Sequence, residues 1–332
     1  MLSVCAYNAT RLPLRAGRGT AAIQWRRWMS VRPEVRETTE AFDLPFPQAA
    51  RPKVTVADLQ KMHKNREPIA MLTAYDYPTA KAASANPNTD IILVGDSLAQ
   101  VCLGYDSTSQ LTLDEMIHHA RAVSRGATHP FIVADMPFGS FGVSTEETLR
   151  NAVRLTQASK ADAIKMEGGA ELADAVRRLA HIGIPVMGHI GLMPQRFMLS
   201  GFRVQGRTAA GAQRVLRDAL ALQQAGAFAL VLEAIPRNLG AYLTNRLRIP
   251  TIGVGAGNQT SGQAMWDDIM GTWSGHKARF ARRFADCQSE RDAGVQKYTE
   301  AVKARSFPSI EESYPDVPEE EWAKFLQVAE AQ

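Results

Sequence analysis

Ile91-Ile92-Leu93-Val94-Gly95-Asp96-Ser97 sets the pattern that the rest of the chain repeats. Four apolar residues, mostly β-branched, read as a buried strand. A glycine then frees the backbone, and a carboxylate and a hydroxyl follow at once. Polar chemistry is thereby set at the rim of a core. Apolar runs at 69–72, 131–133, 163–164, 185–187, 229–232 and 251–254 follow the same grammar, running into Thr73, Asp135, Lys165-Met166-Glu167, Gly188-His189, Glu233 and Gly255.

Helix-patterned stretches lie between these runs. TLDEMIHHARAVSR (112–125) opens on a Thr-x-x-Glu capping box, and STEETLRNAVRLTQ (144–157) on another candidate cap. The stretch 170–181 ends near Gly183 and the stretch 208–224 near Gly226, each glycine suited to a helix stop. Residues 54–65 read as an entry helix with Thr55 or Asp58 near its start, 238–247 as a shorter helix, and 277–285 and 291–304 as helices beyond the last strand. Alternating strands and helices over this length predict α/β architecture, a (β/α)8 TIM barrel, with an open Rossmann-type sheet as the alternative. The eighth strand is poorly marked, and Ala264-Met265-Trp266 is its one candidate.

Of the 332 residues, 45% are hydrophobic and 22% charged, which is ordinary globular composition. No apolar run is long enough for a membrane span. The net charge of +4 misleads, because residues 1–32 hold six arginines and no Lys, Asp or Glu; the remainder carries −2. A body of that charge argues against a nucleic-acid groove. The acid-free, Arg-rich leader reads as a mitochondrial transit peptide at 1–32, addressing the matrix, with a basic tail that targets nothing as the bland alternative. A Pro-rich linker follows at 33–52, a catalytic barrel at 53–308 and an acidic extension at 309–332. Cys5, Cys102 and Cys287 have no metal-site spacing and read as free thiols.

In a barrel of this kind the site lies at the C-terminal strand ends. Asp96, Asp135, Lys165, Glu167, His189 and Glu233 all fall there. Singly, each carboxylate is more often a cap or a loop residue. Asp96, Asp135 and Glu167 from three successive units together suit a hard divalent cation, Mg2+ or Mn2+. Lys165 and Glu167 are two apart and share one face, either as a plain salt bridge or as a cation for an anionic substrate beside a metal carboxylate. His189, between Gly188 and Gly191, reads as a turn residue able to approach a ligand. Glu233 ends ALVLE, where partial desolvation suits a general base. Gly253-Val254-Gly255-Ala256-Gly257 does not make a dinucleotide fingerprint.

The motifs LTAYD, LVGDSL, GYDST, RAVSRGA, DMPFGS, KMEGG, GHIGLMPQ, FRVQG, VLEAIP and IGVGAGN, in this order, resemble the ketopantoate (3-methyl-2-oxobutanoate) hydroxymethyltransferases, and the leader resembles the fungal mitochondrial form. The resemblance implies a TIM barrel of the phosphoenolpyruvate/pyruvate superfamily and a homo-oligomer, commonly decameric. It implies transfer of a one-carbon unit from 5,10-methylenetetrahydrofolate to 3-methyl-2-oxobutanoate through a Mg2+-stabilised enolate, giving 2-dehydropantoate on the way to pantothenate. It also implies Asp96, Asp135 and Glu167 as Mg2+ ligands, Ser97, Asp135, Lys165 and His189 (with Asp96) at the keto acid, and Glu233 as proton acceptor. The chain departs from the family pattern at Met193, at Ser200-Gly201, and in GQAMWDDIMG, which is one residue short. The alternatives are a Mg2+-dependent C–C lyase or mutase of the same superfamily, whose members typically carry a lid-loop cysteine, and a silent barrel kept for assembly.

Overall fold

Alternation along the strands decides which side chains face the barrel axis. The computed structural model describes residues 51–272 and 278–330; the leader, and the linker up to residue 50, lie outside the described residues. Eight parallel strands close in chain order: β1 (Ala70–Thr73), β2 (Ile91–Val94), β3 (Phe131–Asp135), β4 (Ala163–Glu167), β5 (Val186–Gly191), β6 (Ala229–Glu233), β7 (Thr251–Val254) and β8 (Ser261–Ala264). β1 pairs with β8, so there is no open edge and the Rossmann-type alternative is excluded.

In β2, Ile91 and Leu93 point inward among Met71, Val133, Met187 and Val231. Ile92 and Val94 join the layer between strands and helices. The same parity sends Phe131, Val133 and Asp135 of β3 inward, then Ala163, Lys165 and Glu167 of β4, and Ala229, Val231 and Glu233 of β6. The inner face is therefore apolar at the bottom of the barrel and polar at its top, which is the end where the site lies.

The helix Val56–Asn65 covers the bottom. Thr55 and Asp58 form a reciprocal capping box, with the Thr55 backbone N–H 2.9 Å from Asp58 Oδ2. Val54 and Leu59 pack into the inner cluster, and fully burying Leu59 contributes roughly 1.5–3 kcal/mol. The helices Leu113–Gly126, Thr145–Ser159 and Ala209–Ala225 begin at Thr112, Ser144 and Thr208, whose hydroxyls accept from the first turn. No helix of the described residues is long and apolar enough to cross a membrane.

Three expectations need correction. The eighth strand is Ser261–Ala264, not 264–266. Its Ser-Gly-Gln-Ala composition lacks an apolar β-branched run, and pairing with β7 and β1 defines it instead. Of the helix expected at 277–285, residues 278–285 are not helical, and Lys277 lies outside the described residues. Backbone N–H groups of Phe284 and Ala285 donate to Ile269 O, which holds this segment over the barrel mouth. The helix expected from 170 starts as a 3-10 turn, Ala170–Leu172, and becomes α-helical only at Ala173.

Candidate active site

Register brings the polar residues together. Asp135 lies opposite Lys165, Glu167 opposite His189, and Gly191 opposite Glu233. Lys165 Nζ is 2.8 Å from Asp135 Oδ1 and 3.0 Å from His189 Nδ1. An ammonium only donates, so Nδ1 accepts. His189 Nε2 is 3.0 Å from Leu192 O, a carbonyl that only accepts, so the ring proton sits on Nε2. That nitrogen is also 3.3 Å from Glu233 Oε2. His189 is thereby an uncharged Nε2–H tautomer facing Glu233.

His189 is a strand residue, not a turn residue. Gly188 faces the other way, and a Cβ there would come within 2.7 Å of Leu230 Cδ2 and 2.8 Å of Leu222 Cδ1. That glycine allows the helix Ala209–Ala225 to approach the barrel wall, and has no part in ligand approach.

Asp96 and Ser97 stand just past β2. The position that continues the inward face is Gly95, where a Cβ would sit 3.0 Å from Ser97 Oγ. The Asp96 backbone N–H donates to Asp135 Oδ2 at 2.9 Å, tying the two carboxylate-bearing segments together. Asp96, Asp135, Lys165, Glu167 and His189 are all buried, while Glu233 and Ser97 are half-buried.

Burial pushes the Asp96 carboxyl well above the usual range, and the charges of Asp135 and Glu167 push it further; Lys165 and Gln195 oppose the shift. Glu167 is also raised, chiefly by burial, against the pull of the Lys165 ammonium. Burial alone would lower Lys165, but the charges of Asp135, Glu167 and Asp96 outweigh it and hold the amine protonated. Three buried carboxylates thus face one buried ammonium, leaving an excess of negative charge that a divalent cation would neutralise. All three offer hard oxygen donors, which suit Mg2+ or Mn2+. His189 has both ring nitrogens engaged. Among the described residues no three His, Cys, Asp or Glu side chains form a ready ligand shell.

Sequence reasoning missed Gln195. It lies buried in the MPQR segment after β5. Its side-chain amide donates to Asp96 Oδ2 at 2.8 Å and to Met136 O at 3.0 Å, and its backbone N–H donates to Glu167 Oε2 at 3.0 Å. One residue therefore aligns the carboxylate just past β2 with the one that ends β4. Its only sequence signal was a polar residue inside a quoted motif. Tyr75, which contacts Ser97, was missed in the same way.

A cavity of about 770 Å3 opens above these groups, and Ser97, Asp96, Lys165 and Glu233 line it. Its upper wall is apolar, with Phe197, Phe202, Phe280 and Phe284. The rings of Phe197 and Phe202 stack with centroids 5.6 Å apart. Neither Cys102 nor Cys287 reaches it.

Residues 53–310 match the family model described as ketopantoate hydroxymethyltransferase. The chain is 46% identical to a 3-methyl-2-oxobutanoate hydroxymethyltransferase of Emericella nidulans over 83% of this chain and 79% of that one. It is 45% identical to the Geobacillus sp. protein of that name, over 81% of this chain and 96% of the other. Among solved structures, a phosphonopyruvate hydrolase complex with oxalate and Mg2+ shares the fold at a TM-score of 0.52 and 13% identity, over 84% of this chain and 99% of that one. A phosphoenolpyruvate phosphomutase from Streptomyces platensis does so at 0.51 and 15%, over 83% and 96%.

Proposed function

The chain belongs to the ketopantoate hydroxymethyltransferase family, and from that premise we propose that it transfers a hydroxymethyl group from 5,10-methylenetetrahydrofolate to 3-methyl-2-oxobutanoate, giving 2-dehydropantoate, the first step towards pantothenate. The observation that carries this reading is the pairing of an excess of buried carboxylate with a half-buried Glu233 in one cavity.

Asp96, Asp135 and Glu167 would hold Mg2+. When bound, the ion supplies Lewis-acid stabilisation of the negative charge that develops on the keto acid's oxygens. Glu233 removes the proton from C3 of the keto acid, and positioned base catalysis of this kind contributes about 10²–10⁴-fold. His189 Nε2 lies 3.3 Å from Glu233 Oε2, so the imidazole stands directly beside the base. Lys165 offsets the negative charge of Asp135 and offers a remaining N–H to the substrate. Ser97 donates to the keto acid's carboxylate. The carbanion so formed bonds to the one-carbon unit presented from the apolar upper part of the cavity; the two bonds from that carbon to the folate nitrogens break, water supplies the hydroxyl oxygen, and the C3 proton and one from water pass to the nitrogens, releasing tetrahydrofolate. That part is wide and lined with aromatic rings, which suits a flat heteroaromatic co-substrate.

The runner-up, a lyase or mutase using a lid cysteine, finds no thiol at the cavity among the described residues. The direct experiment incubates purified protein with keto acid, methylenetetrahydrofolate and Mg2+. Formation of 2-dehydropantoate that stops when any one is omitted is expected; folded protein yielding none overturns the reading. The reading also includes a homo-oligomer in the mitochondrial matrix. Light scattering on purified protein and a reporter fused to the leader test those parts separately.

A further inference from the structure

A chain of hydroxyls runs from the start of the short helix Trp266–Met270, just after β8, to the floor of the cavity. The Trp266 backbone N–H donates to Thr73 Oγ1 at 2.8 Å. Thr73 Oγ1 donates in turn to the Tyr75 hydroxyl at 2.9 Å, and Tyr75 lies 2.9 Å from Ser97 Oγ. The direction of the last bond follows from the first two. A backbone amide cannot accept, so the Thr73 oxygen is the acceptor of the first bond and its hydrogen is committed to Tyr75. Tyr75 is 2% exposed, and its own hydrogen needs an acceptor. Ser97 Oγ is the acceptor in reach among the described residues. The opposite arrangement, with Ser97 donating to Tyr75, would give the phenol oxygen two donors and leave its hydrogen buried and unpaired.

We propose that Thr73 and Tyr75 are positioning residues that hold the Ser97 hydroxyl as a donor aimed into the cavity, so that the ligand group seated against it is an acceptor oxygen. The assignment rests on the proposed function for the identity of that group, the carboxylate of the keto acid. Successive hydroxyls polarised in one direction strengthen one another, so the terminal donor is a better one than an isolated serine. Gly95 keeps the space beside Ser97 open, since a side chain there would begin 3.0 Å from Ser97 Oγ. The chain also explains why Thr73 and Tyr75 are buried polar residues in an otherwise apolar wall. Because its first donor is at Trp266, it links the serine to the segment just after β8.

The test is a double-mutant cycle with binding as its readout. Keto acid is titrated calorimetrically into wild type, Tyr75→Phe, Ser97→Ala and the double variant, with Mg2+ present and folate absent. Tyr75→Phe removes one oxygen and keeps the ring, so the wall stays filled. It is expected to weaken keto-acid binding about tenfold, the worth of one hydrogen bond, and to raise KM far more than it lowers kcat. Ser97→Ala weakens binding at least as much, and adding Tyr75→Phe to it changes nothing further. Thr73→Ser, which keeps the hydroxyl, retains wild-type affinity, while Thr73→Val loses it. Tyr75→Phe with wild-type affinity, or an effect of equal size in the Ser97→Ala background, overturns the relay while leaving the proposed function standing. Wild type that binds no keto acid overturns both.

Discussion

Replacing Lys165 by methionine isolates the electrostatic logic of the site. The ammonium lies 2.8 Å from Asp135 Oδ1 and 3.0 Å from His189 Nδ1, and it is 4% exposed. Methionine fills much the same volume, so the change is mainly one of charge. Asp135 Oδ1 is buried and, among the described residues, has no partner besides the Lys165 ammonium, which the substitution removes. Removing one member of a buried pair costs about 3–5 kcal/mol, and at about 2–4 °C per kcal/mol for a domain of this size the melting temperature falls by roughly 10 °C. The deficit should depend on conditions. The carboxylate set can neutralise itself by taking up protons, so the loss is larger at about pH 8 than at about pH 5.5. Added Mg2+ should recover part of it by supplying the missing positive charge. Urea unfolding at both pH values, with chelator and with Mg2+, measures all of this. A variant within about 1 kcal/mol of wild type at the higher pH, with no response to pH or metal, would refute the reasoning, because surface-like pairs are worth no more than that.

Other outcomes follow from the same geometry. Asp96→Asn should stabilise the metal-free protein, increasingly so as pH rises. The folded carboxyl is raised above its unfolded value, so its favourable contribution is complete below about pH 4 and is lost as pH climbs through the folded value; a stability gain that does not grow with pH in chelator-treated samples contradicts this. Gln195→Leu removes the amide that holds Asp96, and Mg2+ affinity should fall about 10–100-fold by calorimetry, as for other supporting residues at metal sites. Unchanged affinity would remove Gln195 from that role. Gly188→Ala presses a methyl against Leu222 and Leu230 and should cost about 1–3 kcal/mol in urea unfolding, without altering keto-acid affinity.

The buried strands and the residues that end them were legible because alternation is a local signal. Lys165 and Glu167, two apart, had to share a face, and one parity rule puts Asp135 and Glu233 on the same inner surface. What escaped was set by partners distant in the chain. Gln195 meets Asp96 across 99 positions, and nothing near either residue marks that contact. β8 exists through pairing with strands on both sides, so its own composition could not announce it. The glycines around His189 suggest a turn, although a helix more than twenty residues away sets the need for Gly188. The stretch 278–285 carries helix-compatible residues, yet backbone bonds to Ile269 hold its end in irregular form over the cavity.

The central claim is that Glu233 takes the C3 proton of a keto acid seated on the carboxylate set. Proton NMR of 3-methyl-2-oxobutanoate in D2O with enzyme and Mg2+, without folate, reads that step alone. Wild type should exchange the C3 proton, while Glu233→Gln should lose exchange by about 10²–10⁴-fold and still bind Mg2+ and keto acid. Exchange that persists at the wild-type rate in Glu233→Gln contradicts the account.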